Sequence, residues 1–121
     1  SLERLAERFE RETGVRASVV GTEPHLSREN QVVASRVTQE ALANIAKHAG
    51  ASAVEISLTS ASPWVRLAIG DDGSGFDVSA ATSGFGLASM RDRVSIAGGR
   101  AEIVSDGGGT RVVVELPVEE S

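Results

Sequence analysis

Cysteine is absent from this chain, which rules out disulfides, zinc–thiolate sites and thiol nucleophiles. Aromatic residues are scarce. Three Phe, one Trp and no Tyr cannot build the stacking platforms that hold single-stranded nucleic acids. Excess positive charge is missing as well: 12 Lys and Arg stand against 17 Asp and Glu, a net charge of −5. The basic residues are spread along the chain, whereas a phosphate-backbone binder gathers them on one face. Nucleic acid is therefore set aside as a partner. No apolar run approaches the roughly 20 residues that cross a bilayer, and no signal-peptide pattern opens the chain. A cytoplasmic domain fits these absences, whether or not a parent protein is anchored in a membrane.

What is present suits one folded domain spanning residues 1–121, 40% hydrophobic. A chain of this size buries roughly two-thirds of its unfolded surface, enough for a core without staples. Its opening is already helical in character and lacks an initiator Met, which reads as a boundary inside a longer polypeptide.

The order of elements follows from periodicity. Leu2, Leu5 and Phe9 recur at helical spacing up to a stop at Gly14. Val15, Ala17 and Val19 alternate with polar neighbours as a short strand. Ser27 is a helix N-cap, with Asn30 where Glu or Gln would complete a capping box. The helix it opens runs to Ala49 and ends at Gly50. Val54–Thr59 and Val65–Gly70 form a hairpin around Ser60–Pro63. Residues 70–86, rich in Gly, Ser, Asp and Ala, read as a loop. Leu87, Met90, Val94 and Ala97 define a third helix, closed by Gly98-Gly99. Strands Arg100–Ser105 and Thr110–Leu116 flank a glycine turn. Five alternating strands and three helices predict a two-layer α/β sandwich, helices on one face of the sheet and the other face largely wet.

The long helix carries polar chemistry beside its buried stripe. At about 100° per residue, Ala34, Val37, Thr38, Ala41, Leu42 and Ile45 share the core arc, and Glu40, Asn44 and Lys47 cluster next to it. His48 lies one turn beyond Asn44. Such a group serves phosphate chemistry: Asn oxygen is a hard ligand for Mg²⁺, Lys neutralises phosphate, and Glu holds or activates a nucleophile. By itself it reads more readily as a solvated helix face, since charge clusters usually are one. Two glycine motifs follow. Gly70-Asp71-Asp72-Gly73-Ser74-Gly75-Phe76 ends a strand, where missing Cβ atoms let backbone approach a planar ligand and Asp71 offers an acceptor. It is also an ordinary Asp/Gly turn. Ser83-Gly84-Phe85-Gly86-Leu87 leads into a helix whose free N–H groups make an anion site, or simply an N-cap. Residues 77–82 between them suit a mobile lid. Thr110, before the last strand, bridges to an Asp or a base, or is just a good strand residue.

Taken together these stretches resemble the GHKL ATPase superfamily, which unites gyrase, MutL and histidine kinases. Gln39-Glu40-Ala41-Leu42-Ala43-Asn44-Ile45-Ala46-Lys47-His48-Ala49 is similar to the N box of the nitrate-sensor and DesK-like histidine kinases. Asp71–Phe76 resembles their G1 box, residues 84–93 their G2 region, and Gly109-Thr110 the Thr before their final strand. The resemblance implies a Bergerat fold with a mixed five-stranded sheet, and ATP and Mg²⁺ as ligands. It implies Mg²⁺ on Asn44, adenine on Asp71 with room left by Gly73 and Gly75, and Thr110 at the same end. Gly84, Phe85, Gly86 and Leu87 would then cradle the phosphates, with Lys47 in contact, Glu40 as base or positioning group, and His48 either in contact or a structural histidine at the helix end. It implies a kinase half whose phosphoacceptor His sits on a separate upstream dimerisation helix domain, with a response regulator beyond. Neither His25 nor His48 fits that acceptor, and the domain alone would be monomeric. Two other readings stay open: an anti-sigma-factor serine kinase of the same fold, and a non-catalytic ATP-sensing module.

Overall fold

The computed structural model describes residues 1–21, 26–73, 87–106 and 108–118, leaving the side chains of residues 48, 49 and 106 undescribed. Its elements in chain order are α1 (Leu2–Thr13), β1 (Arg16–Val20), α2 (Arg28–Asn44), a π-helical turn (Ile45–Ala49), β2 (Ala53–Ala61), β3 (Trp64–Asp71), α3 (Leu87–Ile96), β4 (Arg100–Asp106) and β5 (Gly109–Pro117).

Local chemistry explains these boundaries. Ser27 Oγ accepts the Asn30 amide at 3.1 Å, so Ser27 is the N-cap its sequence position predicts. Asn30 does not complete a capping box. Its buried side-chain amide donates instead to the Pro117 carbonyl at 3.3 Å, tying the start of α2 to the end of β5. Gly14 and Gly50 close their helices in the left-handed conformation, with φ of 76° and 60°.

The expected long helix is interrupted in one respect. Its α-helical part stops at Asn44, and residues 45–49 widen into a π turn. Hydrogen bonding to i+5 turns each residue through less than the α-helical 100°, so phases extrapolated past Asn44 drift. The β2–β3 hairpin is tighter than expected: Ala61 pairs with Trp64 across a two-residue connection.

The sheet order is β1-β2-β3-β5-β4, with β1 parallel to β2 and every other pairing antiparallel. This is the mixed five-stranded sheet of the expected sandwich. Val54, Ile56, Leu58, Val65, Leu67, Ile69, Val112, Val114 and Leu116 are all buried, the period-2 face on which the helices pack. Leu2, Ala6 and Phe9 of α1, Val37, Ala41 and Leu42 of α2, and Leu87, Met90 and Val94 of α3 complete the core. Helix α1 lies over β1, α2 over β3 and α3 over β4. The opposite face carries Arg66, Arg100, Glu102 and Glu115, although Ala68 in the central strand is buried there too.

No helix among the described residues is long and apolar enough to cross a membrane.

Candidate functional site

Sheet register decides which polar side chains face the helices. In β3 the core-facing positions are Val65, Leu67, Ile69 and then Asp71; in β5 they are Thr110, Val112, Val114 and Leu116. The apolar stripes of two neighbouring strands thus each end in a polar residue at the same edge of the sheet. Asn44, the last α-helical residue of α2, lies above them and is buried. Together with Leu87 at the start of α3, these residues line a narrow cleft that also includes Ala41, Ile45, Ile69 and Val112. The free space is about 10 Å³, room for about one water.

Asp71 is the electrostatic centre of this cleft. Its Oδ1 accepts the Gly73 amide at 2.8 Å. Its Oδ2 is buried with no partner by hydrogen-bond geometry, alone in that respect among the described residues. Burial pushes the Asp71 carboxyl above its ordinary value of 3.8; the amides of Gly73 and Thr110 pull it back, and the neighbouring Asp72 charge adds a smaller push upward. Thr110 is buried, and its hydroxyl pairs with the Ser105 hydroxyl at 2.9 Å across the β4–β5 ladder. Gly109 enters β5 at φ 134°, with its Cα packed against the Asp71 carbonyl so closely that a Cβ would overlap it.

Asp72 has a different task. Strand alternation sends consecutive residues to opposite sides, and the Asp72 carboxylate turns away to the chain that leads into β2. Its Oδ1 accepts the amides of Ser52 at 2.8 Å and Ala53 at 3.0 Å, while Oδ2 accepts the Ser52 hydroxyl at 2.6 Å. The Ser52 hydroxyl first, then the Ala53 and Ser52 amides, hold this carboxyl down to about 2. A depressed folded-state value contributes stability that is complete above the ordinary 3.8 and lost as pH falls towards about 2. Asp72→Asn is therefore expected to be less stable than the wild type at neutral pH. The gap should close on acidification to pH 2, and urea melts showing a gap independent of pH would refute this.

Of the residues singled out from sequence, the structure brings Asn44, Asp71, Leu87 and Thr110 into one cleft, with Gly73 bonded to its rim. Glu40 is half-buried and lines a neighbouring groove between α2 and α3, with Arg36, Gln39, Ser89 and Arg93. Lys47 is exposed on the π turn. The α-helical phase had set Lys47 beside Asn44, and the wider turn moves it off that line. The His48 side chain, residues Gly75, Gly84, Phe85 and Gly86, the lid segment 77–82 and His25 lie outside the described residues. Ser52 and Ser105 escaped the sequence reading, because an isolated Ser carries no signal. Asp72 was legible in principle, since only one of two adjacent Asp at a strand end faces the core.

A helix-borne amide set against a strand-end aspartate and a threonine on the next strand belongs to a known class. The family described as histidine kinase-, DNA gyrase B-, and HSP90-like ATPase matches residues 29–120, and the chain belongs to it. It is 47% identical over 95 residues to the signal transduction histidine-protein kinase/phosphatase UhpB of Salmonella typhimurium, a match covering 78% of this chain and 19% of that protein. It is 40% identical over 85 residues to the sensor histidine kinase LiaS of Bacillus subtilis, covering 69% and 24%. Among solved structures, the ATP binding domain of PrrB from Mycobacterium tuberculosis superposes with a TM-score of 0.76 at 28% identity, covering 98% of this chain and 92% of that one. The chain is thus a histidine-kinase-type ATPase domain of the nitrate-sensor and DesK-like class. It spans only about a fifth to a quarter of the length of the two curated relatives.

Proposed function

We propose that this domain binds Mg²⁺–ATP in the Asn44–Asp71–Thr110 cleft and donates the γ-phosphoryl group to a histidine. That histidine would sit on a separate dimerisation helix domain of the same parent protein, with a response regulator as the next acceptor. One observation carries the reading: the buried, unpartnered Asp71 Oδ2. A buried carboxylate oxygen that no protein donor satisfies is suited to a donor from a ligand, and the exocyclic amino group of adenine is one.

The free space among the described lining residues is smaller than a purine, so binding the base requires the cleft to widen. Gly73 and Gly75 leave the base room, and Thr110 completes the adenine end. The amides around Gly84, Phe85, Gly86 and Leu87 cradle the phosphates at the helix N-terminus. Lys47 is assigned a phosphate contact, His48 either the same or a structural role at the helix end, and Glu40 orients the incoming imidazole or accepts its proton. Among the described residues no group of three or more His, Cys, Asp or Glu could hold a metal alone. A single Asn oxygen fits Mg²⁺ held jointly with phosphates and water. When bound, the ion neutralises charge on the transferring phosphoryl group. The domain's share is positioning, since phosphoryl transfer asks little covalent chemistry of the protein.

Calorimetry with ADP tests the binding half. Wild-type affinity is expected to drop when Mg²⁺ is chelated, and Asn44→Ala is expected to bind equally weakly with and without the ion. No heat from a folded wild-type sample would end the proposal. The transfer half needs the full-length parent chain and γ-labelled ATP. Label is expected on a histidine, in an acid-labile and base-stable linkage. Label on serine would instead select the serine-kinase reading, and none at all the ATP sensor. Sedimentation of the domain alone is expected to give a monomer.

A further inference from the structure

The roles above use Asp71 and Gly73 but leave Asp72 between them unassigned. We infer that Asp72 is a positioning residue that clasps the two halves of the nucleotide site together, through its three hydrogen bonds to Ser52 and Ala53. This inference rests on the proposed nucleotide site.

The connectivity supports it. The base-facing half of the cleft hangs on β3 and its outgoing turn, Asp71–Gly73. The phosphate-facing half hangs on Asn44, which continues through the π turn and the left-handed Gly50 into Ser52 and β2. Register pairs Val54 with Asp71, so the β2–β3 ladder ends where the two halves meet. Beyond that pair, two contacts of Asp72 join them among the described residues. The Asp72 amide donates to the Ala53 carbonyl at 3.3 Å, a long bond. The Asp72 carboxylate takes three donors at 2.6–3.0 Å with both of its oxygens. Charge-assisted bonds of that length are the stronger kind. Asp72 is exposed, so the clasp stabilises the fold only modestly, whereas its geometric leverage on Asp71 is direct.

The test compares ADP and GDP by calorimetry in the presence of Mg²⁺, under conditions where circular dichroism shows each variant folded. Guanine offers a carbonyl where adenine offers an amino group, so the ratio of the two affinities reads the placement of the Asp71 carboxylate. Asp72→Ala is expected to weaken ADP binding about tenfold or more and to compress the ADP-over-GDP preference, since a misplacement of about 1 Å in such a site costs up to about 100-fold. Asp72→Asn keeps an acceptor for the two amides, and Ser52 can reverse its bond, so that variant is expected to recover most of the preference. A merely structural residue would lower the melting temperature and leave the ratio alone. Wild-type binding of ADP with an unchanged ratio in Asp72→Ala would overturn the inference. Failure of the wild type to bind ADP would instead strike the nucleotide site itself.

Discussion

Replacing Asp71 with Asn is expected to weaken adenine-nucleotide binding at least about 100-fold without lowering the stability of the empty domain. The binding loss follows from buried polar complementarity. An amide group in place of Oδ2 sets a donor against the donor of the base, and a buried mismatch of that kind costs about 1–3 kcal/mol for each group left unpaired. The stability half follows from linkage. Burial raises the Asp71 carboxyl above 3.8, so its favourable contribution is complete below that value and is lost as pH rises through the folded-state value. At neutral pH the wild type carries a desolvated charge that the Asn variant lacks. The melting temperature of Asp71→Asn should therefore equal or exceed that of the wild type at pH 7, and the difference should shrink towards pH 4. A variant that melts markedly lower at pH 7 would show that Asp71 is a structural residue. A variant that binds ADP normally would remove the foundation of the proposed function.

A second large effect is expected from Gly109→Ala. Two penalties coincide there: φ of 134° lies where side-chain-bearing residues are strained, and the new Cβ would overlap the backbone carbonyl of Asp71. Neither side is a flexible chain end that could swing away. A cost of about 3 kcal/mol or more is expected, which lowers the melting temperature of a domain this size by roughly 10 °C or more. Because the collision falls on Asp71, any protein that still folds should also bind ADP poorly. Gly70→Ala makes the contrast. Among the described residues a Cβ at Gly70 meets only the Arg111 side chain and the Thr110 carbonyl, both at 4.0 Å, so thermal stability there should change little. Equal melting shifts for the two variants would refute the argument from close approach.

These two glycines show where sequence reading ran out. Gly70 drew notice as part of a strand-end motif, yet it is Gly109 on the neighbouring strand that has no room for a side chain. The crowding arises between residues 38 positions apart in sequence and exists only once β3 and β5 are paired. Lys47 makes a related point. Helical phase placed it beside Asn44 on the assumption of 100° per residue, and the π turn that spoils the assumption has no local sequence signature. Asn30 likewise looked like half of a capping box and bonds instead to Pro117, at the far end of the chain.

Periodicity, by contrast, was decisive wherever the interaction is local or repeats along an element. Alternation in β2, β3 and β5 marked the buried face, helical spacing marked the core stripes of all three helices, and Gly14, Gly50 and Ser27 marked helix ends. Polar residues at fixed offsets from those stripes were enough to nominate Asn44, Asp71 and Thr110, because a side chain's face depends only on its place in the repeat. By itself the sequence determined the elements, their inward faces and the chemical types at the site. Only the tertiary structure decided that Asp71 keeps one oxygen unpaired, that Thr110 leans on Ser105, and that Asp72 ties β3 to the chain leaving Asn44. Each of these depends on strand register and on contacts between distant segments, distances that no local period encodes.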